Sequence, residues 1–150
     1  MGYIDRYNRD ENTVTISRVG ANAGFVSFIS SKFYLNDKCF SVIPFTDVQD
    51  KISNKYLFYY LKSIEANIIN LQSEGGVPTI NTSKVSNLQF PIPCPDNSEK
   101  SLSIQAEIVQ ILDSFNELST ELSTELSARE KQYEFYRKEL LAFPNNDLEE

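Results

Sequence analysis

The chain contains no histidine. This removes the commonest general base and the commonest metal ligand, and argues against an independent hydrolase or metalloenzyme. Cysteine is scarce: Cys39 and Cys94 stand far apart, match no metal-ligand spacing, and read as small buried side chains rather than a disulfide. No apolar run approaches the roughly 18 residues needed to cross a bilayer, and the first residues lack the basic and apolar regions of a signal peptide. The expectation is a soluble, cytoplasmic protein without membrane contact. A basic excess is missing too. Up to Asn97, nine Lys/Arg balance nine Asp/Glu; from Ser98 onward five face twelve, so the whole net charge of −7 lies on the C-terminal third. That third is poorly suited to lie along phosphates and better suited to bind protein.

What is present is a run of three tetrapeptides, Glu117-Leu-Ser-Thr120, Glu121-Leu-Ser-Thr124 and Glu125-Leu-Ser-Ala128. It lies in a helical pattern from about Leu102 to Phe143. Ile104, Ile108, Ile111, Phe115, Leu118, Leu122, Leu126, Tyr133, Tyr136 and Leu140 recur at steps that keep them near one helix face. A helix of roughly 40 residues is about 60 Å long, and a stripe of that length normally meets a partner helix. Each tetrapeptide advances such a helix by about 6 Å and turns its leucine about 40° further round the axis. The element can therefore act as a spacer that changes length by whole repeats, relaxing left-handed supercoil locally. The bland alternative is a low-complexity patch on an ordinary amphipathic helix.

With 150 residues, 41% of them hydrophobic, one modest core is possible beside this element. Thr13–Ser17 alternates as a half-buried strand; Phe25–Ile29 and Cys39–Ile43 are further strand candidates, and Arg18–Gly24 is a turn. Leu57, Leu61, Ile64, Ile68 and Leu71 predict one helix with Ser53 as its N-cap and Gly75-Gly76 as its stop. Tyr56, Phe58, Tyr59 and Tyr60 suit packing with wetted hydroxyls better than base stacking. Residues 77–84 read as a polar connection, and Leu88–Ile92 as a short last strand. Pro91, Pro93 and Pro95 form a stiff boundary. Ser98, Ser101 and Ser103 are alternative caps for the long helix; Pro144 with Asn145-Asn146 ends it.

Several ordered segments together carry a resemblance. Pro91-Ile-Pro-Cys-Pro95, the run from Ile104 to Asp113, the Glu-Leu-Ser-Thr repeats and the run from Lys131 to Leu141 resemble the DNA specificity subunit of type I restriction-modification systems. The repeats are similar to the spacers of the type IC group, and Ile16-Ser-Arg-Val-Gly20, the Tyr56–Leu61 segment and Gly75-Gly-Val-Pro78 resemble the second half of a target recognition domain. The resemblance implies an α+β fold: a small mixed target recognition domain at 1–97 lacking its N-terminal part, a spacer and dimerisation helix at 98–143 pairing as an antiparallel coiled coil, and a tail at 144–150. It implies a non-catalytic subunit that reads half of a split site on double-stranded DNA. Its partners would be methyltransferase subunits, which hold S-adenosylmethionine, restriction subunits joined through the complex, and a second copy of the chain. No cofactor or metal is expected on the chain itself. Neither an Asn-Pro-Pro-aromatic motif nor a phosphate-binding glycine loop is found in it.

The expected DNA contacts are Ser17, Arg18 and Asn22, then Thr79, Asn81, Thr82 and Lys84, because Arg matches guanine, Asn matches adenine, and Lys and Thr suit phosphate. Alternatively the two asparagines serve turns and Arg18 pairs with a carboxylate. Ile108, Ile111, Phe115, Leu118, Leu122, Leu126, Tyr133, Tyr136 and Leu140 are the expected helix-pairing residues. Glu107, Arg129, Lys131 and Arg137 are the expected methyltransferase-facing residues, or plain solvated charges. Two readings follow: a DNA-reading half-subunit that dimerises, and an interaction fragment that docks on restriction-modification subunits without reading DNA.

Overall fold

The computed structural model describes residues 6–73 and 75–142. The chain divides into two units, Met1–Gln110 and Ile111–Glu150. The first is built on three antiparallel strands, β1 (Thr13–Ser17), β2 (Val26–Ile29) and β3 (Cys39–Val42), in the order β2-β1-β3. Val14 stands opposite Phe28 and Val42, and Ile16 opposite Val26 and Phe40. The alternation of Thr13-Val-Thr-Ile-Ser17 puts Val14 and Ile16 wholly inside. The sheet agrees with the expected α+β class, with both outer strands one residue shorter than their patterns.

Helices α1 (Asn54–Ser63) and α2 (Glu65–Ile69) cover the sheet where one helix was predicted. The chain leaves helical geometry at Ile64, and the Glu65 carboxylate just beyond accepts the Val26 N–H at 2.7 Å while pairing with Lys62 at 2.7 Å. The break lets Leu57 and Leu61 of α1 and Ile68 of α2 join Val14, Ile16, Val26 and Ile80 in one core. Ser53 stands at the N-cap position, without a side-chain cap bond.

The predicted strand at Leu88–Ile92 does not form. Pro91 has no N–H to give a ladder, and the carbonyls on either side serve α1 instead: the Tyr60 hydroxyl donates to Gln89 O at 3.0 Å and the Tyr56 hydroxyl to Pro91 O at 3.4 Å. Both rings pack edge-on against Phe90. The aromatic residues of α1 are therefore packing residues, and these two hydroxyls are bonded to backbone rather than simply wetted. Burial, followed by the neighbouring Tyr60, raises the Tyr56 hydroxyl above the ordinary tyrosine pKa. The connection at 77–84 is also more ordered than predicted, since it holds a bridge at Thr79 and a short helix α3 (Thr82–Val85).

Helix α4 runs over Ser98–Leu141. Its cap is none of the three serines. The Asn97 side-chain oxygen accepts the Lys100 N–H at 2.9 Å, which makes Asn97 the N-cap. Ser101 is instead buried one turn below Gln105. Gln105, also wholly buried, accepts the Ser53 N–H at 2.8 Å and donates to Lys51 O at 2.6 Å and to Ser101 Oγ at 3.0 Å. The first turns of α4 thus belong to the first unit. Cys39 and Cys94 are both half-buried free thiols. Phe143, the proposed stop at Pro144-Asn145-Asn146 and the rest of the tail lie outside the described residues.

Two measurements check this packing. At Gly24 (φ +93°) an added Cβ would meet the Ile69 backbone at 2.8 Å, whereas at Gly20 (φ +101°) it would meet nothing. Left-handed geometry costs alanine about 1–2 kcal/mol at either site, so urea denaturation should find Gly24→Ala destabilised well beyond Gly20→Ala. Gln105→Met keeps the bulk but strands a half-buried N–H and a half-buried carbonyl. It should cost about 2–4 kcal/mol, while Ser103→Ala on the exposed side changes little.

Candidate functional site

The seven residues expected to touch DNA come from two stretches about 60 residues apart, and the fold joins those stretches directly. Val19 bridges Thr79 as an antiparallel pair; the Gly20 N–H donates to Pro78 O at 2.9 Å and the Ile80 N–H to Arg18 O at 2.9 Å. Ile80, fully buried, anchors the second stretch to the core. The turn that presents the first is set by Gly24, whose N–H donates to Ser17 O at 2.8 Å, and by Asn22, whose carbonyl accepts the Phe25 N–H.

Within this joined surface the residues differ. Ser17 ends β1, and its backbone is occupied by Phe25 and Gly24. Asn22 lies exposed in the turn, and Asn81 is the exposed N-cap residue of α3, with no side-chain cap bond in place. The turn role and an open side chain are therefore compatible at both positions. Thr82 is exposed on α3, whereas Thr79 spends its hydroxyl on Val77 O at 3.0 Å. The Lys84 ammonium donates to Leu71 O at 3.0 Å, which ties α3 back to the end of α2.

Arg18 holds the centre. Its N–H donates to Lys38 O at 2.7 Å and its guanidinium carbon lies 5.7 Å from the Phe40 ring centroid. Its Nε is buried without a hydrogen-bond partner, and no carboxylate pairs with the residue among the described ones. One N–H of this guanidinium thus lacks an acceptor. The sequence reading missed Lys38, an exposed residue that Arg18 brings to the same surface as a third loop. The polar Asn36-Asp37 turn before it was the available signal.

The second unit is described by itself. Of the expected pairing residues, Ile111, Phe115, Leu118, Leu122, Leu126, Tyr133, Tyr136 and Leu140 are all exposed, from 50% at Leu118 to 76% at Leu140. Phe135 and Leu141 are exposed apolar residues that fall off the stripe. Ile108, half-buried, belongs to the first unit. At about 100° per residue, the four charged residues expected to face a methyltransferase do not share one face. Glu107 flanks the stripe, Arg129 lies on it between Leu126 and Tyr133, Arg137 lies beside it with its guanidinium over Tyr133, and Lys131 points away.

Fold and site define a class: a small α+β head whose polar loops converge on one surface, continued by a long helix with an uncovered apolar stripe. The family model of the Type I restriction modification DNA specificity domain matches residues 1–129. The chain belongs to that family. It is 45% identical over 95 residues to the type I restriction enzyme EcoR124I/EcoR124II specificity subunit of Escherichia coli, covering 63% of this chain and 22% of that one. To the EcoprrI specificity subunit of the same organism it is 36% identical over 143 residues, covering 93% and 35%. The crystal structure of the type I restriction-modification S subunit from M. genitalium shares the fold, with a TM-score of 0.61 at 23% identity over 91% of this chain and 34% of that one. The chain thus spans between about a fifth and about a third of these relatives. Among the described residues no helix is long and apolar enough to cross a membrane, and no group of three or more potential metal ligands comes together.

Because the Arg18 Nε is buried without a partner, removing it should relieve desolvation rather than cost packing. Arg18→Met keeps a long side chain beside Phe40. It should leave the unfolding free energy within about 0.5 kcal/mol of the parent, or raise it, as read by thermal denaturation.

Proposed function

We propose that this chain is a non-catalytic recognition half-subunit of a type I restriction-modification enzyme, reading one half of a split site on double-stranded DNA. The observation that carries this is the junction of residues 18–20 with 78–80. It gathers Arg18, Asn22, Asn81, Thr82 and Lys38 onto one surface of an otherwise charge-balanced head. Arg and Asn there can read base edges, and Lys38 with Thr82 can hold phosphate. Lys84 and Thr79, bound to backbone carbonyls, act mainly by fixing the loops.

In this reading methyl transfer belongs to a docked methyltransferase subunit that holds S-adenosylmethionine, and restriction subunits join through it. Helix α4 pairs with a second copy, so that two heads face inverted half-sites. The Glu-Leu-Ser-Thr repeats set their separation. One base pair is about 3.4 Å and roughly 35° of twist, close in scale to the change one repeat makes in a helix.

Co-expression with the cognate methyltransferase subunit, followed by sequencing of the sites methylated in random DNA, tests this. The expected product is a split, inverted-repeat motif whose unspecified gap lengthens when a repeat is added. Arg18→Met should degrade the motif at one base pair of each half-site without preventing assembly of the complex. A complex that assembles but methylates no defined motif would overturn the reading.

A further inference from the structure

The stripe of α4 has a polar interruption whose position is informative. From Ile111 the spacing runs 111, 115, 118, 122, 126, 129, 133, 136, 140, and every position except Arg129 is apolar. These spacings are nearly the same read in either direction. Placed antiparallel on a second copy, with the two-fold axis between residues 125 and 126, the stripe meets itself almost layer by layer. Ile111 faces Leu140 of the other copy, Phe115 faces Tyr136, Leu118 faces Tyr133, and Leu122 faces Arg129.

Charge favours the same arrangement. Residues 114–128 carry Glu117, Glu121 and Glu125 and no Lys or Arg; residues 129–138 carry Arg129, Lys131, Arg137 and Lys138 against Glu130 and Glu134. Antiparallel copies set the acid-only stretch of each against the basic stretch of the other, whereas parallel copies would align like with like. Within one chain Arg129 already donates to Glu125 at 2.7 Å and to Gln132 at 3.2 Å, which leans its guanidinium to the glutamate side of the stripe. Glu121 and Glu125 of the other copy flank the Leu122 that it faces.

We propose that Arg129 is the orientation lock of a self-paired α4, a cation at a core position that reaches Glu121 and Glu125 of the second copy and excludes the parallel pairing. The proposal rests on the self-pairing reading above and adds the residue that decides its antiparallel orientation. A polar group at a core position specifies pairing at some cost in stability. Sliding by one repeat would set Arg129 against Leu118 with the equivalent Glu117 and Glu121 beside it, so the arginine decides orientation, while the outer layers, Ile111 with Leu140 and Phe115 with Tyr136, hold the register.

The test is sedimentation of the full chain and two charge variants, alone and mixed. Arg129→Glu alone, and Glu121→Arg with Glu125→Arg alone, each set like charges together twice per pair. Each should self-associate at least about tenfold more weakly than the parent. Their equimolar mixture sets opposite charges together twice and should recover a heteropair of parental affinity. Circular dichroism checks that both remain helical. A parent dimer with variants that pair as tightly as it does would overturn the lock and leave self-pairing standing. A parent that stays monomeric at tens of micromolar would overturn both and give the stripe to a helix of another protein.

Discussion

The structure depends on one buried amide. Gln105 is placed by α4 one turn above Ser101 and bonds two backbone groups of the 51–53 segment, the Lys51 carbonyl and the Ser53 N–H. A single hydrogen bond contributes little net stability, but a buried group left without one costs about 1–3 kcal/mol. The amide therefore acts less as glue than as a condition: the 51–53 segment can be buried only where α4 begins. Ser53 is also where α1 begins, and α1 supplies Leu57 and Leu61 to the core. The start of the long helix and the core of the head are thus one bonded structure, although proline-rich sequence separates them.

Patterns confined to one element were legible in the sequence. The alternation at Thr13–Ser17 has only one reading, and the apolar steps of α4 give a helix whatever it touches. What escaped the sequence were features decided by distant partners. The break at Ile64 depends on a Glu65 carboxylate reaching the N–H of Val26, 39 residues away. The strand expected at Leu88–Ile92 is lost because its carbonyls are taken by tyrosines of α1. Gln105 carries no local sign of burial, since glutamine is mostly a surface residue and nothing nearby marks the two backbone groups it satisfies.

The candidate site divides in the same way. Residue type singled out Arg18, Asn22, Asn81 and Thr82, but what joins their two stretches is the Val19–Thr79 bridge, between residues of no common pattern. The bridge also sorts the candidates. Thr79 and Lys84 donate to carbonyls of their own chain, so chemistry suited to phosphate is spent on holding the loop. Arg18 differs because its neighbours give its backbone partners and its Nε none.

The repeats and the arginine, which look like separate features of α4, are compatible only in one way. Each tetrapeptide carries its leucine about 40° further round, so Leu118, Leu122 and Leu126 drift across the stripe, and the three-residue step to Arg129 brings the pattern back. Adding one Glu-Leu-Ser-Thr unit adds one more drifting leucine and moves the arginine by four. In an antiparallel self-pair the two-fold axis moves by two residues at the same time. The shifted arginine then still faces Leu122 of the other copy, and Ile111 still faces the last leucine of the stripe. A length change by whole repeats therefore conserves every outer layer and the charged one, whereas a change by one, two or five residues turns the outer layers away from each other. The tetrapeptide unit is thus one increment by which a self-paired helix of this kind can lengthen and keep its layers facing.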